Sequence, residues 1–147
     1  MRKAVLFRSV IRLLGEGSEV NDAVYMWKRH RHVLPFGGAT FVGMVLLAGW
    51  LGWDDWATRI VIGLAATAVA VAASTDYKIL ADTSSGLYLL DASRIRQTAT
   101  AMGKQLSSGT DIKQAGGTML AADWEVDGSL YTVPKSSEQA MNRIAGS

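Results

Sequence analysis

Residues 33–74 read VLPFGGATFVGMVLLAGWLGWDDWATRIVIGLAATAVAVAAS. Val33 to Gly52 is 20 residues without a charge, and Trp56 to Ser74 is 19 with Arg59 alone. At about 1.5 Å rise per residue, a helix of either length reaches across a hydrocarbon layer of roughly 30 Å. Only Trp53, Asp54 and Asp55 join the two runs, so the helices are expected to be antiparallel neighbours, with residues 1–32 and 75–147 leaving on the same side. A pair of buried helices in a soluble protein does not fit, because neither run has a polar face and the rest of the chain is too small to wrap both. Nor does a cleaved signal peptide fit, since the first run starts at residue 33 and a second follows at once.

Charge is segregated around this stretch. Residues 1–32 carry a net charge of +4, residues 33–74 of −1 and residues 75–147 of −1. The basic excess lies beside the apolar runs, so the sequence pI of about 9.0 does not point to a nucleic-acid partner. The 147 residues include no Cys, which removes disulfides, thiolate catalysis and Cys-based metal sites.

Arg2 to Leu14 reads as an amphipathic helix, with Leu6, Phe7, Val10, Ile11, Leu13 and Leu14 on one arc and Arg2, Arg8, Ser9 and Arg12 largely on the other. Such a helix suits an anionic lipid surface; the alternative is that its apolar face packs on the C-terminal domain or on another subunit. Gly15-Glu16-Gly17 interrupts it. From Ser18 a second helix is expected, with Glu19 and Asp22 in its first turn, Val20, Val24 and Trp27 at i, i+4, i+7, and Lys28, Arg29 and Arg31 in its last. Residues 1–32 are thus read as a basic helical arm, in which Arg8, Arg12, Lys28, Arg29 and Arg31 are candidate membrane-surface residues. The run Lys28-Arg29-His30-Arg31-His32 abuts the first span and predicts cytoplasmic termini in a bacterial inner membrane. Trp50, Trp53 and Trp56 are candidate anchors at the opposite interface, and Arg59 lies close enough to that interface to snorkel out. Small residues at i, i+4 mark candidate helix-packing positions: Ala39 with Gly43 and Ala48 with Gly52 in the first span, Gly63 with Thr67 and Ala66 with Ala70 in the second. The spacing leaves open whether they meet within the pair or between chains.

Beyond residue 75 the period changes to that of strands. Strands are expected over 77–82, 87–90, 95–102, 110–114, 120–126 and 130–133, with turns at Ser84-Ser85-Gly86, Gly116-Gly117 and Asp127-Gly128. Lys135 to Ala145 reads as a closing helix. The result is a membrane helical hairpin at 33–74 plus a small α+β domain at 75–147, in which a curved antiparallel sheet is closed by its last helix.

Tyr77-Lys78-Ile79-Leu80-Ala81-Asp82-Thr83, Gly86-Leu87-Tyr88-Leu89-Leu90, the Trp124 strand, the Asp127-Gly128 turn and the terminal helix resemble bacterial pleckstrin-homology-like (PH-like) domains that follow a pair of transmembrane helices in small, mostly actinobacterial, proteins. The resemblance implies a PH-like fold and carries no catalytic residue. Eukaryotic relatives bind phosphoinositides through a basic loop in the first hairpin. Here that loop is Ser84-Ser85-Gly86 beside Asp82, which is not basic.

His30 and His32 are the only histidines, and they read as part of the basic headgroup cluster. Asp123, Glu125 and Asp127 alternate along one strand as an ordinary acidic outer face. No Ser-x-x-Lys run or phosphate-binding loop is present, so neither enzyme activity nor a cofactor nor a metal is expected. The expected function is a membrane-anchored, non-enzymatic binding or adaptor module that takes an unidentified protein partner, with Tyr88, Tyr131 and the sheet edge as contacts. The alternative is a homo-oligomeric membrane scaffold or a bilayer-perturbing small membrane protein.

Overall fold

The computed structural model describes residues 2–29 and 32–147. They form four α-helices and a seven-stranded antiparallel open sheet, an α+β fold. The elements are α1 (Arg2–Leu14), β1 (Val20–Arg29), α2 (Val33–Trp50), α3 (Trp56–Ala73), β2 (Thr75–Thr83), β3 (Gly86–Ala92), β4 (Ala99–Leu106), β5 (Ile112–Gly117), β6 (Ala121–Val126), β7 (Ser129–Pro134) and α4 (Glu138–Ala145). A short 3-10 turn, Lys135–Ser137, precedes α4. The chain divides into two compact units, Met1–Lys28 with Tyr77–Ser147, and Arg29–Asp76.

The first unit corrects the expected helical arm. Residues 20–29 form a strand, not the Ser18-capped helix, and it lies in the middle of the order β4-β3-β2-β1-β7-β6-β5. The i, i+4 spacing of Val20, Val24 and Trp27 is coincidental. Val24 and Met26 face one side of the sheet and join a core with α4, while Ala23 and Tyr25 face the other side and pack beneath α1. A strand buried on both faces loses the alternation that would reveal it. The 1–32 segment is therefore not a separate domain, because α1 and β1 belong to the same unit as the C-terminal strands.

Each sheet face has its own helix. On one, Leu80, Leu106, Ala122, Trp124, Val126, Tyr131 and Val133 surround Ala140, Met141 and Ile144 of α4. On the other, Leu6 and Val10 of α1 pack on Ile79, Ala81 and Leu90. This decides between the two readings of α1: its apolar face covers β2 and β3 and is not free for lipid. Strand β2 consequently buries Ile79, Leu80 and Ala81 in succession. Burying a side chain the size of Ile79 or Leu80 contributes about 1.5–3 kcal/mol, before the entropy of ordering the chain is set against it.

The sheet also curls. In a flat sheet β4 and β6 would lie five spacings apart, or roughly 24 Å. Instead Lys104 Nζ on β4 meets Asp127 Oδ2, just past β6, at 2.6 Å. Asp127 and Gly128 close the β6–β7 hairpin with φ of 53° and 77°, the paired positive values of a type I′ turn. Two boundaries move from expectation. The fourth strand begins at Ala99, because residues 93–98 form a loop, and Gly116-Gly117 end β5 without forming a turn.

Arg143 of α4 clasps Asp22 of β1 in a bidentate pair, Nε to Oδ2 at 2.8 Å and Nη2 to Oδ1 at 2.9 Å. The hydrogen bonds from Arg143 hold the Asp22 carboxyl below its ordinary value; burial opposes this, and the charges of Arg143 and Lys3 add to it. A carboxyl depressed in the folded state stabilises it above the unfolded pKa and ceases to do so as pH falls through the folded one. Asp22→Asn is therefore expected to lower the thermal midpoint of the detergent-solubilised chain at pH 7, followed by tryptophan fluorescence. The gap to the unaltered protein should begin to close below about pH 4.

Candidate membrane and partner surfaces

In the second unit α2 and α3 pack antiparallel, with a glycine of each helix facing larger side chains of the other. Gly63 faces Phe41 and Val45, and a Cβ there would lie 2.8 Å from the Phe41 ring. Gly37 lies against Thr67 and Val71, and the Thr67 hydroxyl donates to the Gly63 carbonyl oxygen at 2.7 Å. Gly63 and Thr67 thus meet the opposite helix as their spacing implies, and Ala66 and Ala70 are half-buried. Ala39 and Gly43 do not join the contact; both are exposed. Helix α2 contributes Gly37, Phe41 and Ala48, of which Ala48 is among the positions marked by small-residue spacing.

Large apolar side chains cover the outside of the pair. Leu34 is 87% exposed, and Val42, Leu46, Ile60, Val61, Leu64 and Val69 are exposed with it. Both helices are long and apolar enough to cross a membrane. At the turn, Trp50, Trp53 and Trp56 are all exposed. Asp55 caps α3, accepting from the Thr58 N–H at 3.0 Å and the Thr58 hydroxyl at 2.6 Å. These bonds, the hydroxyl's first, hold its carboxyl below the ordinary value.

Arg59 is folded into the same turn, its side chain 17% exposed. Its Nε donates to the Trp53 carbonyl oxygen, Nη2 lies 3.5 Å from Asp54 Oδ1, and the guanidinium sits 5.1 Å from the centre of the Trp56 ring. The slot exists because residue 49 is glycine: a Cβ there would come within 2.9 Å of Arg59 Nη1. Satisfied by a carbonyl, a carboxylate and an aromatic face, Arg59 clamps the turn. Arg59→Leu and Gly49→Val are each expected to destabilise the chain in detergent by about 1–3 kcal/mol. Because both remove the same contact, the double variant should lose clearly less than the sum, measured as a thermal double-mutant cycle.

The candidate basic residues part company. Arg8 and Arg12 are exposed on α1, whereas Lys28 is half-buried and donates to Ser129 Oγ at 3.3 Å. Arg31 and His30 lie outside the described residues, as does the side chain of Arg29. Of the two candidate partner tyrosines, Tyr131 is corrected: at 5% exposure it belongs to the α4 core, because Leu130 takes the outward position on β7. Tyr88 is half-buried among the residues packed around α1. The free edges are β4 and β5, exposed along nearly their whole length.

Among the described residues, no three His, Asp or Glu side chains gather closely enough to hold a metal ion. Asp123 accepts from the Thr132 hydroxyl at 2.8 Å, and Asp127 is taken by Lys104. Sequence reasoning missed the loop 93–98, where Ile95 stands 90% exposed between the exposed Arg94 and Arg96. The signal was present as an Arg-Ile-Arg triplet, but it was absorbed into an expected strand.

No protein-family model, curated protein or solved structure matches this chain.

Proposed function

We propose that the chain is a membrane-anchored, non-enzymatic binding module, in which α2 and α3 span the inner membrane and a PH-like domain is displayed on the cytoplasmic face for a protein partner. The observation that carries this reading is the exposed apolar surface of the helix pair, which runs around both helices and ends in three exposed tryptophans. Water tolerates contiguous apolar patches of only a few hundred Å², and lipid is the solvent that such a surface fits. The basic run 28–32 at the start of α2 and the acidic pair Asp54-Asp55 at the turn support cytoplasmic termini.

The PH-like reading is supported by the topology of the first unit. Strands β1 to β4 and β5 to β7 are two meanders joined through β1 and β7, the sheet curls, and a terminal helix fills its concave side. On this reading the spans are inserted between the first two strands. The partner is expected at an edge, β4 or β5, where unpaired backbone groups can add a strand. A second reading, assembly with further copies, draws on the Ala39–Gly43 face that the helix pair leaves uncovered.

Topology tests the proposal. Because the protein has no cysteine of its own, cysteines introduced singly at Glu16, Asp54 and Ser136 report cleanly on an impermeant thiol reagent. In intact cells we expect labelling at position 54 alone. Labelling at 16 and 136 would overturn the orientation, and soluble protein after alkaline extraction would overturn the membrane anchoring itself.

A further inference from the structure

The basic residues of the first unit fall into two sets. Five are ion-paired: Lys78 with Asp91, Lys104 with Asp127, Lys113 with Asp111, Lys135 with Glu138 and Arg143 with Asp22. Arg8, Arg12, Arg94 and Arg96 form no ion pair with any described residue, and neither do Lys3 and Lys28. Arg8 lies beside the loop 93–98, since the Ala99 N–H donates to Ser9 Oγ at 2.9 Å, and Arg12 follows one turn further along α1.

Two acids without an ion pair to a described residue, Glu19 and Asp82, lie at the far end of the sheet, where β1 starts and β2 finishes and the Glu19 carbonyl oxygen accepts from the Ser84 N–H at 2.9 Å. Asp123 of β6, which has no such ion pair either, sits level with Trp27 through Thr132. Loop 93–98 follows Asp91, which pairs with Lys78 near the start of β2. Over the nine residues of β2 the two ends are separated by roughly 25 Å. The loop thus lies at the end of the sheet where β1 finishes and β2 starts, which is where the chain departs for and returns from α2 and α3.

Ile95 stands exposed in the middle of that loop. A single exposed isoleucine is unremarkable on a protein surface. Its setting is less ordinary, because the loop around it is held closed. The Ser93 N–H donates to Thr98 O at 2.9 Å, Gln97 N–H to Ser93 O at 3.0 Å, Arg96 N–H to Ser93 Oγ at 3.3 Å, and the Tyr25 hydroxyl to Arg94 O at 3.5 Å. Burial beside Tyr77 pushes the Tyr25 phenol up to about 12, so it stays a donor at any physiological pH. A fixed apolar tip between two unpaired guanidinium groups has the chemistry of a bilayer interface with anionic headgroups: the aliphatic group enters the acyl boundary while the cations stay among phosphates.

We infer that Arg94-Ile95-Arg96 is a lipid-contacting tip that, with Arg8 and Arg12, seats this end of the domain on the anionic leaflet and so fixes the direction in which edges β4 and β5 are presented. This rests on the membrane reading of α2 and α3 proposed above. The contact requires headgroup charge and no particular headgroup.

The test uses the full chain in nanodiscs of phosphatidylcholine alone or mixed with phosphatidylglycerol. Spin labels are placed singly at Ile95, where the apolar label substitutes for the side chain, at Ser84 on the opposite end, and at Val61 in α3. Accessibility to a water-soluble nickel chelate is then compared. In anionic discs the label at 95 should be about threefold less accessible than that at 84, and Arg94→Gln with Arg96→Gln, or neutral discs, should remove most of the difference. Equal accessibility at 95 and 84 in anionic discs, with 61 protected, would overturn the lipid-contacting tip and leave the membrane reading standing. Chelate access at 61 would overturn that reading and the tip with it. Protection at 95 that is the same in neutral discs would overturn the role of the arginines.

Discussion

The pairing of β1 between β2 and β7 is the constraint on which the rest of the fold depends. Without it the sheet would be two separate meanders, β2-β3-β4 and β5-β6-β7, each with an additional open edge. With it, a segment that precedes the apolar helices becomes the centre of a domain whose other strands follow them. The chain must leave this sheet after β1 and come back for β2, so the two apolar helices are an insertion within a domain and not a leader in front of one. The segment from α1 through β1 is consequently committed to the sheet and to the helix that covers it, and only the outer face of α1 is left for other contacts.

Burial on both faces follows from the same arrangement. Strand β1 and its neighbour β2 supply side chains to the α4 core on one side and to the α1 core on the other. Between the two helices, Asp22 and Arg143 tie the centre of the sheet to α4 through a bidentate contact. Arg94 and Arg96 are not used in such ties and stand exposed on the loop 93–98.

Much of this could be read from the residues. Helices α2 and α3 were legible as a run of 20 residues without a charge and one of 19 with Arg59 alone, each long and apolar enough to form a helix without a polar face. Helix α1 and the hairpins around Ser84-Ser85-Gly86 and Asp127-Gly128 were legible from amphipathic spacing and turn chemistry. Strand β1 was not, because alternation disappears when both faces are buried, and Val20, Val24 and Trp27 then imitate a helical stripe. On α2, small-residue spacing marks Ala48, which is buried, but not Phe41, whose large ring fits only because Gly63 of α3 makes room for it. Tyr131 shows the same limit, as a tyrosine on a strand reveals its side only once the register with Trp124 is known.

The central placement of β1 can be tested by a covalent reporter of register. Trp27 and Thr132 are direct partners across β1 and β7, so their Cα atoms should lie within the 4.4–6.8 Å or so that a disulfide spans. In the cysteine-free chain, with Trp27→Cys and Thr132→Cys introduced together, mild oxidation of the membrane-extracted protein should form an intramolecular disulfide, seen as a reducible shift in gel mobility and the loss of two free thiols per chain. Two thiols that stay free, or that link only one chain to another, would place residues 20–29 outside the sheet and contradict the account.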